Sequence, residues 1–127
     1  MPRLSVQGQV SFLVDTGADK TVLMPLDGQR LAIDYTKLNG NERTVGIGGF
    51  SVNFVEKALV VFLDSSNNVL CVYSIDLQIS PPSPAIMDIP SLLGRDILNQ
   101  WRMSYNERRD LLAFKVLSAD FTFPVRP

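Results

Sequence analysis

The chemistry open to this chain is limited by what it lacks: there is no histidine. Ser-His-Asp and Cys-His catalysis, histidine-containing zinc sites and a histidine pH switch are therefore excluded. The single cysteine, Cys71, lies in an apolar run, cannot form an intrachain disulfide and reads as a buried structural thiol. Carboxylates, hydroxyls and Lys/Arg remain, and one stretch presents them in a pointed way: Asp15-Thr16-Gly17-Ala18-Asp19. The apolar run 10–14 ends abruptly on Asp15, and apolar character resumes at Val22-Leu23. Gly17 lets the backbone turn where a side chain would clash. The pattern puts a carboxylate at the mouth of a tight loop held between two buried strands, a common way to place a catalytic group. Taken alone, the same residues also make an ordinary Asx-type turn.

The elements that must hold this loop are mostly strands. Leu4 and Val6, then Val10, Phe12 and Val14, alternate around Gly8 and predict a hairpin over residues 3–14. Met24-Pro25-Leu26 is a proline-punctuated exit and Asp27-Gly28 marks a turn. Residues 29–39 fit either a strand or a short helical turn. Thr44-Val45-Gly46-Ile47-Gly48-Gly49-Phe50 sets a glycine-dense tip between two extended arms. Ile47 is out of place on an exposed tip unless something covers it part of the time. A phosphate-cradling loop is the weaker reading, because strand-type residues follow rather than a helix.

Residues 56–63 and 69–79 read as two strands joined by a polar loop, with the continuously apolar 60–63 as a central strand. Ser80-Pro81-Pro82-Ser83-Pro84 is a stiff connector. Leu92-Leu93-Gly94-Arg95 runs into the one convincing helix, with Ile97, Leu98 and Trp101 on one face. Strands follow at 102–105 and 111–117, with a last one around Phe121, Phe123 and Val125. The fold class is all-β with one short helix.

The 127 residues make a single domain, 1–127. With 46% hydrophobic residues the chain is globular rather than disordered. Twelve basic against 13 acidic residues, net charge −1, give no electrostatic footprint for nucleic acid or an anionic membrane. No signal-peptide pattern and no apolar run long enough to span a bilayer is present, so a soluble, cytoplasmic, reducing setting is expected.

Three blocks now stand in order: Leu13-Val14-Asp15-Thr16-Gly17-Ala18-Asp19, Gly46-Ile47-Gly48-Gly49-Phe50, and Leu92-Leu93-Gly94-Arg95-Asp96-Ile97-Leu98. Together they resemble the retropepsin family, the retroviral-type aspartic proteases, over residues 6–101. The resemblance implies a single-lobe closed β-barrel with a glycine-rich flap hairpin, a two-fold homodimer, and peptide-bond hydrolysis with no cofactor and no metal. An aspartic protease needs two carboxylates sharing a proton across a water molecule. Like charges so close cannot both ionise, a case for which this family is itself the standard example. The chain holds one D-T-G, and Asp64, Asp96 and Asp110 sit in other contexts, so the second carboxylate must come from a copy of the same chain.

The resemblance also assigns roles. Asp15 forms the dyad with its symmetry mate, Thr16 bonds across the dimer axis, and Gly17 meets substrate backbone. Ala18 and Asp19 line the substrate, and Arg95 braces the loop through Asp19. Gly46, Ile47 and Gly48 form the flap tip. Val22, Pro90 and Leu92 are apolar subsite walls, which implies substrates with hydrophobic residues flanking the scissile bond. Each assignment has a plainer counterpart: a local turn at Thr16, a surface ion pair at Arg95, an ordinary hairpin at Gly48, core packing at Val22, Pro90 and Leu92. Lys20 puts a positive charge near the outer subsites, suited to an acidic or polar substrate residue, or is simply solvated.

In retroviral members both termini interleave in the dimer sheet. Here little chain precedes the first hairpin and a long tail follows Trp101, which resembles cellular or bacterial members more closely. The dimer interface is then expected in strands within 102–125. The alternative to an enzyme is a catalytically silent dimerisation or peptide-binding module of the same fold. An unrelated β-barrel binding domain is the more distant rival.

Overall fold

The computed structural model describes residues 6–38, 40–46 and 49–125, and side chains within these except at 40–46 and 49–52. Nine strands and two short helices follow one another: β1 (Leu13–Val14), β2 (Val22–Leu23), α1 (Pro25–Arg30), β3 (Gly40–Gly46), β4 (Gly49–Asp64), β5 (Val69–Ile79), β6 (Leu92–Leu93), α2 (Arg95–Leu98), β7 (Trp101–Asn106), β8 (Leu111–Val116) and β9 (Phe121–Pro124). Single 3-10 turns occupy Tyr35–Lys37 and Pro84–Ile86. Seven strands form one sheet in the order β1-β6-β2-β5-β4-β3, with β9 added to β5, while β7 and β8 pair as a separate two-stranded sheet. The molecule is thus mostly β, as the sequence predicts. None of the described helices is long and apolar enough to cross a membrane.

The β4–β5 hairpin is the spine. Its register runs from Phe54↔Ile79 to Asp64↔Val69. The polar loop between the strands is built on Asp64, whose carboxylate accepts the Ser66 amide at 3.2 Å and the Asn67 side-chain amide at 2.9 Å. Asn68 closes the loop at φ 55°, a conformation asparagine tolerates better than most residues. Alternation decides which side chains enter the core. Val60 and Phe62 pack with Cys71, Tyr73, Ile75, Leu93 and Ile97, whereas Leu59, Val61 and Leu63 point outward and are exposed. The run 60–63 is therefore half-buried rather than central. Beside Phe62, the buried Tyr73 accepts a hydrogen bond from Trp101 Nε1 at 2.7 Å and donates one to Ser118 O at 2.8 Å. A second cluster joins Leu23, Leu38 and Ile79.

Three expectations need correction. Residues 6–12 form no strand, so the hairpin predicted over 3–14 is absent from its described part; residues 3–5 lie outside it. Arg30 donates to the Gln9 carbonyl, and Gly8 lies so close to Leu31 that a Cβ there would come within 2.2 Å of its side chain. The segment packs on α1 instead of turning back on itself. Second, Asp27-Gly28 is helix interior, not a turn: Pro25 starts α1 from its first turn, where its missing N–H costs nothing. The described residues therefore hold two short helices. Third, α2 ends at Leu98 and Trp101 opens β7 instead of completing a helical face. The tail strands at β7, β8 and β9 fall where the sequence places them.

Candidate active site

Asp15 stands immediately after β1, and β1 is too short to hold it alone. Its position comes from β6, which runs parallel with Leu13 beside Leu92 and Val14 beside Leu93. The Leu13 amide bonds Ser91 O at 2.8 Å and the Asp15 amide bonds Leu93 O at 3.0 Å. Beyond Asp15 the chain turns: Gly17 N donates to Asp15 Oδ1 at 2.9 Å and Ala18 N to Asp15 O at 3.2 Å. Asp15 is half-buried, while Thr16 and Gly17 are exposed. Among the described residues, the Gly17 amide is the one hydrogen-bond partner of the Asp15 carboxylate.

The far arm of the loop is fastened to α2. Arg95 N donates to Ala18 O at 2.8 Å and Asp96 N to Asp19 O at 3.2 Å. Gly94 permits this approach: a Cβ there would lie 2.4 Å from the Lys20 carbonyl carbon. The Arg95 guanidinium pairs with the Asp19 carboxylate. Both side chains are well exposed, so this ion pair steers the loop more than it stabilises it. The stronger tie is polar and better shielded. Thr21 Oγ1 donates to Asp96 Oδ1 at 2.7 Å, Thr21 N reaches both Asp96 oxygens at 3.0 and 3.1 Å, and Gly94 N donates to Thr21 Oγ1 at 3.1 Å.

A row of apolar side chains lies next to the carboxylate. Leu92 is opposite both Leu13 and Val22 in the register, so the three residues stand side by side on β1, β6 and β2. Val22 and Leu92 are half-buried, and Leu13 is 54% exposed although it lies in a strand. Pro90 is exposed just before this row. Ser91 between them is fully buried; its hydroxyl donates to Asp27 at 2.6 Å and accepts the Met24 amide at 2.9 Å, anchoring β6 to α1.

The structure thus joins Asp15, Thr16, Gly17, Ala18, Asp19, Val22, Leu92 and Arg95 into one hydrogen-bonded neighbourhood. Gly46 ends β3 opposite Gly49, at the other end of the sheet order from β1. Ile47 and Gly48 lie outside the described residues. Sequence reasoning missed Thr21, Ser91, Leu13 and the carboxylate role of Asp96. Only Leu13 carried a local signal, as the residue that breaks strict alternation before the acid.

Residues 1–106 match the family model for the retroviral aspartyl protease. The chain belongs to that family. No curated protein and no solved structure matches it at a significant level. The matched span ends with β7, so β8 and β9 lie beyond it. The Lys57 hydrogen bond, then its charge, holds the exposed Asp76 carboxyl below its ordinary value, with a smaller pull from Lys20. Burial pushes the Cys71 thiol and the Tyr73 phenol up.

Proposed function

We propose that the protein is an aspartic endopeptidase that works as a two-fold homodimer, with Asp15 of each subunit forming the catalytic dyad. The observation that carries this reading is the anchoring of Asp15: β6 holds its own backbone and α2 holds the loop beyond it, in a chain of the retroviral aspartyl protease family. In the reaction one carboxylate takes a proton from water, and the other, protonated, donates to the scissile carbonyl. Water attacks that carbonyl, and the proton held by the dyad passes to the leaving amine. Thr16 links the two loops beneath the dyad, and Gly17, Ala18 and Asp19 present polar groups to the peptide backbone. Leu13, Val22, Pro90 and Leu92 receive hydrophobic side chains on either side of the cut bond.

In this reading the β3–β4 hairpin is the flap, whose tip at Gly46, Ile47 and Gly48 closes over the peptide and excludes water. The main sheet of each subunit is then a single-lobe closed barrel, and two such lobes pair in the homodimer. The lone buried thiol suits a reducing, cytoplasmic setting.

The test is cleavage of a peptide library by purified protein at pH 3–7, with a statine-type transition-state mimic as inhibitor and Asp15→Asn as control. Cleavage abolished by both supports the enzyme. Peptide binding without cleavage at any pH, unchanged by Asp15→Asn, gives the reading to a silent peptide-binding module.

A further inference from the structure

We propose that the outward face of β4, β5 and β9 docks an amphipathic helix of a partner protein, one whose apolar stripe is flanked by Lys or Arg. The pairing registers build this face. Leu63 stands opposite Leu70, and Leu70 opposite Phe123; Val61 stands opposite Val72, and Val72 opposite Phe121. Two apolar rows thus cross three strands, and Leu59 extends them along β4. The alternate residues Val60, Phe62, Cys71 and Tyr73 pack in the core on the other side. Leu59, Val61, Leu63, Phe121 and Phe123 are between 50% and 68% exposed. Val72 is buried yet belongs to neither core cluster, so its outward neighbours cover it. A strand apolar at every position is the pattern of a sheet covered on both faces. Residues 60–63 have that pattern, but the described residues cover one face and leave the other in solvent. Contiguous exposed apolar surface marks an interaction site.

Shape and charge select the occupant. Three strands make a face two strand spacings wide, about 10 Å, and Leu59 to Leu63 runs about 14 Å along it. A single helix with its side chains is about 10–12 Å across and covers that length in about two and a half turns, and a helix laid on a sheet is a common second layer. Asp64 follows Leu63 at the end of β4, and Asp120 precedes Phe121 with its carboxylate on Ser74 N, so the two acids stand at opposite corners of the apolar rows. Among the described residues neither forms an ion pair. Asp76, farther along the face, is offset by Lys57, with a smaller pull from Lys20. Basic groups at the two ends of a docked helix meet the acidic corners. A second copy laid face to face brings the same acids together, and an anionic bilayer is repelled likewise. None of these rows belongs to the Asp15 neighbourhood, so the inference stands apart from the protease reading.

The experiment titrates the full chain with a labelled synthetic helix of about five turns, Leu on one face and Lys flanking it, and with the same peptide carrying Glu for every Lys. Fluorescence anisotropy reads binding, with a statine-type mimic present to occupy the cleft. The Lys peptide should bind roughly tenfold or more tightly than the Glu peptide. Val61→Ser with Phe121→Ser should weaken it roughly 30-fold or more, the scale of a lost hot spot. Asp64→Asn with Asp120→Asn keeps the local acceptors and should remove most of the preference for Lys over Glu. Leu26→Ser with Leu111→Ser, exposed apolar residues elsewhere, should bind as wild type. Should the Val61/Phe121 variant unfold, Leu59→Ser, at 68% exposure, gives the same readout through a smaller change. No binding of the Lys peptide, equal binding of the two peptides, or binding that the face variants leave intact overturns the inference. So does sedimentation in which the Val61/Phe121 variant breaks a wild-type dimer, which gives the face to a second copy, or uptake by phosphatidylcholine vesicles that this variant abolishes, which gives it to lipid.

Discussion

Thr21 and Asp96 are 75 residues apart in the chain and meet through three hydrogen bonds of 2.7–3.1 Å, from the hydroxyl and the amide of one to the carboxylate of the other. With Gly94 N on the same hydroxyl, this contact locks the strand leaving the Asp15 loop to the start of α2. The Arg95–Asp19 ion pair lies beside it but faces solvent.

Removing this lock should therefore cost more than removing the ion pair. Asp96→Ala leaves Thr21 N and Thr21 Oγ1 without their acceptor, while Ile97 N keeps Gly94 O. Part-buried donors left unpaired cost about 1–3 kcal/mol, whereas an exposed pair such as Arg95–Asp19 contributes roughly 0–1 kcal/mol. Urea unfolding of Asp96→Ala against Arg95→Ala should rank them in that order, with Thr21→Ser close to wild type.

Gly94→Ala should damage the same junction sterically. The new methyl would meet Lys20 backbone, not a flexible side chain, so the two segments must part. A destabilisation of about 1–3 kcal/mol is expected, measured by thermal unfolding. Peptide cleavage should fall beyond what the loss of folded protein explains, since the Asp15 loop is displaced.

Asp15→Asn should keep the fold, because an amide oxygen still accepts the Gly17 amide. Cleavage should drop by at least about 10²–10⁴-fold, the contribution of a positioned acid-base group. Unchanged turnover by a pure sample of this variant would assign the chemistry to another residue.

Tyr73→Phe should be costly in the core. It strands Trp101 Nε1–H and takes the donor from Ser118 O. About 1–3 kcal/mol of stability should be lost, visible in chemical denaturation.

Stability should also fall in alkali. Burial raises the folded-state thiol of Cys71 above 9.0 and the phenol of Tyr73 above 10.0. In both, the neutral form is favoured in the folded state. Their contribution is complete below those ordinary values and is lost as pH climbs through the raised ones, because the unfolded chain ionises first. Melting temperature followed from pH 8 to 11 should decline, and Tyr73→Phe should decline less steeply from its own lower starting point.

The strands of the β4–β5 hairpin and of the tail were legible because alternation and turn residues are local signals. Helix α1 was not: Pro25 reads as a stop until its neighbours show that it occupies a first helical turn. The run 60–63 looked central because composition does not report which side of a sheet is covered; only packing sends Phe62 inward and leaves Leu63 in solvent. The hairpin predicted over 3–14 failed because Gln9 meets Arg30, a contact 21 residues away that no local pattern encodes.

By itself, then, the sequence determined the acid and its loop: a strand-type run ending on Asp15, a glycine to turn on, and no histidine to offer another chemistry. It also determined the order of blocks that marks the family. What only the tertiary structure decided is what holds that loop. Thr21, Ser91 and Asp96 look ordinary in sequence, since a hydroxyl or carboxylate acquires its partner only when folding brings a distant donor or acceptor within hydrogen-bonding reach of it. The same holds for the tail, where pairing of β7 with β8 gathers Met103, Tyr105, Leu112 and Phe114 onto one uncovered face.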